Sequence, residues 1–125
     1  MSLANTALLY NLGLLGTPLD DDLVGGPAST QVGATPVKGE LARCTTSVLN
    51  GSFVLKQIQT GEASPLTYVV NDSANAIKVF PHPGEAQGGV ANASLTIPAG
   101  QSAIFVRVPN SLQTAGADWR SAVIP

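Results

Sequence analysis

A single histidine and a single cysteine limit the chemistry that this chain can perform. Nucleophilic catalysis would need His82 to meet Cys44 or a serine, with a carboxylate such as Glu85 to orient the imidazole. No nucleophile-elbow pattern occurs in the sequence. His82 also lies between two prolines, which make its loop rigid. We therefore expect an exposed loop histidine and no catalytic residue.

Metal and cofactor ligands are equally sparse. The only run of charges, residues 20–22, is Asp-Asp-Asp and lacks the spacing of a calcium loop. It is expected to be a solvated acidic loop or a salt-bridge partner for a neighbouring chain. One cysteine allows neither an intrachain disulfide nor a cysteine-based zinc cluster. Three copies of His82 around a threefold axis could hold a metal, but nothing demands it. We expect no metal and no cofactor.

Composition narrows the classes of partner. Charged residues make up 11% of the chain, less than half of the usual roughly 25%. Such a chain often buries surface against other chains, although abundant Ser, Thr, Asn, Gln and Gly could keep it soluble instead. The net charge is −2 and the six cations are scattered singly, so no nucleic-acid partner is expected. No apolar stretch reaches transmembrane length, so no membrane partner is expected.

Residues 45–125 are predicted to form the folded domain. Short β-rich runs alternate with turn signals there, which predicts an all-β fold, an antiparallel β-sandwich or barrel. Asn50-Gly51 is expected to turn between two of these strands. Trp119 is expected to anchor the core, with a binding hot spot as the alternative. The runs are 48–49, 53–58, 66–70, 77–80, 95–97, 103–108 and 118–124.

The run 103–108 has two unequal faces. One face carries Ile104, Val106 and Val108, and the other carries Ala103, Phe105 and Arg107. Because the second face is only partly polar, an exposed Phe105 would mark a subunit contact. Burial of Phe105 under a loop or terminal segment is the alternative.

Residues 1–44 are predicted to form an extended N-terminal arm with a Gly/Pro-rich tether. The arm begins with an uncharged apolar run. This run either folds back on its own domain, as an extra strand or lid, or docks on a neighbouring subunit, which we favour. Its candidate partner-binding residues are Leu3, Leu8, Leu9, Tyr10, Leu12, Leu14 and Leu15.

Residues 69–108 carry a recognisable series of turns and strand ends. It consists of an Asn-rich turn at 71–75, Ile-Lys-Val-Phe-Pro at 77–81, Gly-Glu at 84–85, Ala-Asn-Ala-Ser at 91–94 and a strand after Pro-Ala-Gly at 98–100. The series resembles small structural proteins of tailed bacteriophages and prophages, over roughly residues 45–108. His82-Pro83 and Gly88-Gly89 depart from the common pattern and leave the role of this loop open.

The resemblance implies a virion protein without enzymatic activity, and most directly a capsid decoration (cementing) protein. Such a protein would be assembled in the host cytoplasm, bind the major capsid protein at the head surface and form a homotrimer. The absence of a recognisable signal peptide agrees with cytoplasmic synthesis. The alternatives are a tail, neck or fibre adaptor, a glycan- or receptor-binding β module, and a small β-barrel enzyme.

Overall fold

The computed structural model describes residues 20–57, 66–108 and 118–125. Eleven strands and no helix run through these three ranges, so the all-β prediction is confirmed for them. The strands are β1 (Asp20–Val24), β2 (Thr35–Val37), β3 (Leu41–Thr46), β4 (Gly51–Leu55), β5 (Leu66–Asn71), β6 (Ile77–Phe80), β7 (Ala86–Gln87), β8 (Val90–Ala91), β9 (Leu95–Ile97), β10 (Ser102–Val108) and β11 (Asp118–Ile124).

The strands form two sheets, as expected of a β-sandwich. The larger sheet has the order β1-β3-β5-β10-β11-β7-β8, and the smaller has the order β2-β4-β6-β9. Both sheets are mixed, whereas an antiparallel fold was predicted. Among the first six strands every ladder is parallel, and antiparallel pairs appear only where β9, β10, β11 and β8 join.

The parallel pairing among β1 to β6 arises because consecutive strands in this part of the chain alternate between the two sheets. Parallel neighbours need a long crossover, and here the crossover is a strand of the opposite sheet rather than a helix. A turn is present at Asn50, as predicted, but residues 48–49 before it do not form a strand. Asn50 adopts a left-handed conformation, with φ of 58°, and leads the chain from β3 into β4 in the other sheet.

Residues 20–44 belong to the sandwich, although the sequence predicted an arm and tether up to residue 44. The strand β1 pairs with β3 in the larger sheet, and β2 pairs with β4 in the smaller. Pro36 is tolerated because β2 is an edge strand, where a missing backbone donor can face away from the ladder. The apolar run from Leu3 to Leu15 lies outside the described residues, so its predicted docking role stays a prediction.

The main core lies between the sheets, and it shows which of the two predicted faces of β10 is buried. Ala103 and Phe105 are fully buried there, Arg107 is nearly so, and Val106 on the opposite face is exposed. Phe105 is thus a core residue and not an exposed subunit contact. Trp119 is also fully buried in this core, as its predicted anchoring role requires.

The second half of the chain follows the sequence prediction more closely. Pro81 follows the last residue of β6, and Gly100 takes a positive φ of 76° in the turn after β9. In that turn the amide of Gln101 donates to the carbonyl of Pro98 over 3.2 Å. The predicted surface loop after Pro81 contains a small hairpin, β7–β8, which pairs through β7 with β11.

Candidate functional site

Cys44, His82 and Glu85, the residues considered for catalysis, differ in burial and in their contacts. Cys44 is buried in the main core, and this burial raises the pKa of its thiol. A raised pKa lowers the fraction of reactive thiolate near neutral pH. The Nδ1 atom of His82 lies 3.2 Å from the carbonyl oxygen of the adjacent Pro83. Glu85 is buried and accepts a hydrogen bond of 3.4 Å from the indole nitrogen of Trp119.

No group of three His, Cys, Asp or Glu residues that could hold a metal ion occurs within residues 20–57, 66–108 and 118–125. The same part of the chain contains no pocket. It also contains no helix long and apolar enough to cross a membrane.

The acidic run at the start of β1 makes contacts within its own chain. Asp20 accepts a hydrogen bond of 3.0 Å from the backbone amide of Lys38. Arg43 on β3 bridges two carboxylates, with Nη1 3.2 Å from Asp21 and Nε 2.8 Å from Asp72. These contacts, led by the hydrogen bond to Asp72, raise the pKa of the guanidinium. A salt bridge to a neighbouring chain was one expectation for this run, but the salt-bridge partner of Asp21 is Arg43 of the same chain.

One end of the sandwich is formed by three segments that contain no charged side chain. Three segments meet there: 24–34 after β1, 47–51 between β3 and β4, and 73–77 before β6. None of them contains Asp, Glu, Lys, Arg or His. We refer to these three segments together as the uncharged end.

Backbone and amide hydrogen bonds hold the three segments together. Asn50 links all three, because its amide donates to Ala76 and its carbonyl accepts from Ser29, both over 2.8 Å. The side-chain amide of Asn75 donates to the carbonyl of Ser47 over 2.7 Å. A Cβ atom at Gly51 would collide with the side chain of Ser47, so close packing requires glycine there. These contacts fix the positions of the three segments of the uncharged end relative to one another.

Large apolar side chains project from the uncharged end into solvent. Val24 is 57% exposed, Val48 58% and Leu49 62%. Val24 ends β1 opposite Thr46, the last residue of β3. Val48 and Leu49 follow one residue later, so the parallel pairing of β1 and β3 brings all three side chains to the same end. Clustered exposed apolar residues on a surface without charge are typical of the centre of a protein interface.

Residues 48–49, predicted to form a strand, lie instead between β3 and β4, and for this reason the exposed surface was not predicted. A usable signal was present in the sequence, because Val48-Leu49 directly precedes an Asn-Gly pair, which favours a turn, and the surrounding stretch 44–55 is uncharged. The predicted site residues in the apolar run from Leu3 to Leu15 lie outside the described residues.

No protein family, curated protein or solved structure matches this chain.

Proposed function

We propose that this protein is a structural component of a phage virion, specifically a decoration protein that binds the outside of the head and stabilises contacts between major capsid subunits. The observation that carries the proposal is the uncharged end, on which Val24, Val48 and Leu49 are exposed. The resemblance of residues 45–108 to small phage structural proteins supplies the class of partner.

The chemistry of this surface suits a protein partner better than the other classes considered. Interface cores are depleted in charge and enriched in apolar contact area. A nucleic acid would require clustered cations, and the segments of the uncharged end contain none. Glycan binding would favour exposed aromatic side chains; Tyr68 and Trp119 are both buried, and Tyr10 lies outside the described residues. A flat apolar surface on another folded subunit therefore fits best.

The proposed action is mechanical. A copy that straddles two capsid subunits adds buried area to a contact that internal DNA pressure tends to open. A specific protein interface buries about 1,600 Å² in total. If the protein is a trimer, as we propose, three linked surfaces would strengthen attachment through avidity without any new kind of contact. The partners are thus the major capsid protein and further copies of this chain.

The proposal is tested by mixing the purified chain with empty heads and, separately, with tails of the phage or prophage that encodes it. Cosedimentation should show saturable binding to heads at a fixed ratio to the major capsid protein. Mass photometry of the free chain should show a trimer. Binding to tails instead of heads would assign the protein to an adaptor, and binding to neither would overturn a role on the virion surface.

A further inference from the structure

The larger sheet has a second apolar face, on the side away from the main core. The register of the strands places Leu41, Tyr68 and Ile104 side by side across β3, β5 and β10. The neighbouring row contains Val70 and, across Ser102, Ile124 on β11. Arg43 stands at the β3 end of this row and is neutralised by Asp21 and Asp72. We refer to the five apolar residues, Leu41, Tyr68, Val70, Ile104 and Ile124, as the outer apolar face.

Burial on this face is uneven. Leu41 and Val70 are 0% exposed and Tyr68 is 2% exposed, whereas Ile104 is half-buried and Val106 on the same strand is 42% exposed. The large side chains that pack against the three buried residues come from strands of the same sheet. The smaller sheet packs on the opposite face. Leu41, Tyr68 and Val70 are thus covered on the side of the larger sheet that faces away from the smaller one, where the described residues supply no further layer.

The single polar atom of the aromatic residue on this face is satisfied locally. The hydroxyl of Tyr68 lies 3.0 Å from the hydroxyl of Ser102, on the neighbouring strand. The ring can therefore face an apolar layer without leaving its hydroxyl unpaired. The outer apolar face is suited to an aliphatic occupant.

We propose that the apolar run 3–15 of the same chain packs on the outer apolar face and forms a third layer of the fold. Three segments lie outside the described ranges: 1–19, 58–65 and 109–117. The second and third contain one large aliphatic residue each, Ile58 and Leu112. The first has no charged side chain and contains seven leucines and Tyr10. Composition alone therefore selects 1–19 as the cover.

The position of β1 also favours residues 1–19 as the cover, because this segment directly precedes β1. Asp20 begins β1 opposite Ala42, and the residue before Ala42 is the buried Leu41. Two strand spacings, about 10 Å, separate β1 from β5. The five residues from Leu15 to Asp20 can span about 17 Å when extended. Residues from Leu15 towards the N-terminus can therefore reach Leu41 and Tyr68 on the same chain.

The short distance also favours the same chain over a second copy. A tether of a few residues gives its own segment an effective concentration in the millimolar range at the nearby face. A second copy that is not part of the same oligomer competes poorly with it at micromolar concentration. Of the two destinations considered for the apolar run, its own domain is thus the better supported.

Photo-crosslinking of the full chain tests this proposal, with p-benzoylphenylalanine in place of Tyr10. We expect an adduct that migrates as a monomer and that mass spectrometry maps to β3, β5 or their immediate neighbours. A matched control carries the same amino acid in place of Val90, on β8 at the far edge of the sheet, and should give no adduct with residues 1–19. Adducts between two chains, or adducts to the smaller sheet, would overturn the proposal.

A second measurement covers the case in which the probe at Tyr10 perturbs the fold. Deletion of residues 2–15 should expose the outer apolar face and increase the fluorescence of the dye 8-anilino-1-naphthalenesulfonate several-fold, while the β-type circular dichroism is retained. Unchanged dye fluorescence in a folded deletion variant would contradict the proposal. Neither measurement involves phage heads, so failure here is distinguishable from failure of the proposed function.

Discussion

The side-chain amide of Asn71 donates a hydrogen bond of 3.0 Å to the backbone carbonyl of Ile97. This bond joins the end of β5 in the larger sheet to the end of β9 in the smaller one. The same Nδ2 atom also donates to the carbonyl of Asn75 over 2.9 Å, and Oδ1 accepts from the hydroxyl of Ser73 over 2.7 Å. Asn71 is fully buried, so these bonds are shielded from water.

Replacing Asn71 should therefore be costly, and the cost should depend on the replacement. Asn71→Ala leaves the carbonyl of Ile97 without this donor, at a cost of about 1–3 kcal/mol for a buried group left unsatisfied. The carbonyl of Asn75 still accepts a hydrogen bond of 2.9 Å from the hydroxyl of Ser73. Asn71→Asp should cost more at pH 7, because a carboxylate then faces those carbonyl oxygens. Part of that loss should be recovered at acidic pH, where the protonated acid can donate again. Urea unfolding at pH 7 and pH 5 measures both effects.

Asn92→Asp is the matched control for this pair. Asn92 is exposed, and its Oδ1 accepts a hydrogen bond of 2.8 Å from the amide of Gly84. A carboxylate can accept the same bond. The change in the free energy of unfolding should stay within about 0.5 kcal/mol. Equal losses at Asn71 and Asn92 would show that the buried network does not stabilise the fold.

The strands of the second half were predictable because local signals define them. Pro81, Pro98 and Gly100 mark strand ends by backbone restrictions that need no tertiary context. The pairing of β1 to β6 was not predictable in this way. Each of these strands pairs with strands two positions away along the chain, and a short β-rich run carries no information about which partner it will choose. In the sequence, the Gly/Pro-rich connection at 25–34 cannot be distinguished from a flexible tether, so residues 20–44 were assigned to the arm.

The inner face of β10 was not predictable for a different reason. Alternation identifies the core side of a strand only when the other side is polar. Here Phe105 points into the core while Ile104 packs with the buried residues of the outer apolar face. Arg107 further obscures the pattern, because it is nearly fully buried on the inner side. The uncharged end was missed because its exposed residues have the composition of a strand.

Phe105→Ala tests the correction to the predicted subunit contact. Truncation of a fully buried phenylalanine should lower the free energy of unfolding by about 3–5 kcal/mol. The neighbouring Val106→Ala is the control, and it should have a much smaller effect because Val106 is 42% exposed. Thermal unfolding and mass photometry together distinguish the outcomes. A variant at Phe105 that keeps its stability but loses its oligomeric state would restore the contact role.

Cys44 should make stability depend on pH in the alkaline range. Burial raises the pKa of its thiol above the ordinary value of about 8.5. The unfolded chain then loses this proton first as the pH rises. The stabilising contribution is therefore complete below about pH 8.5 and is lost as the pH rises towards the folded-state pKa. Urea unfolding between about pH 7 and pH 9.5 should show a fall in the free energy of unfolding.

Cys44→Ala is the control for this dependence. Its overall stability should be lower because it leaves a cavity, but its slope against pH should be flatter over the same range. Thiol reagents give an independent check, since native Cys44 should react far more slowly than a free thiol until denaturant is added. A fast reaction in the native protein would show that Cys44 is accessible.

Leu49→Lys tests the uncharged end as the surface that binds the capsid. Burial of a leucine contributes about 1.5–3 kcal/mol, so its loss should weaken binding to heads by roughly ten- to a hundredfold. The lysine adds a desolvation cost if it is held at the centre of the contact. Because Leu49 is 62% exposed in the free protein, folding should be unaffected. Cosedimentation with empty heads measures the affinity, and thermal unfolding checks the fold.

Val90→Lys provides the matched control. Val90 is 60% exposed, like Leu49, but it lies on β8 at the far edge of the larger sheet. The two variants add the same charge to an equally exposed apolar position, so any general effect of charge on binding is common to both. We expect Val90→Lys to bind heads as the unaltered chain does. A loss of affinity in Val90→Lys with none in Leu49→Lys would place the contact at the β7–β8 edge instead.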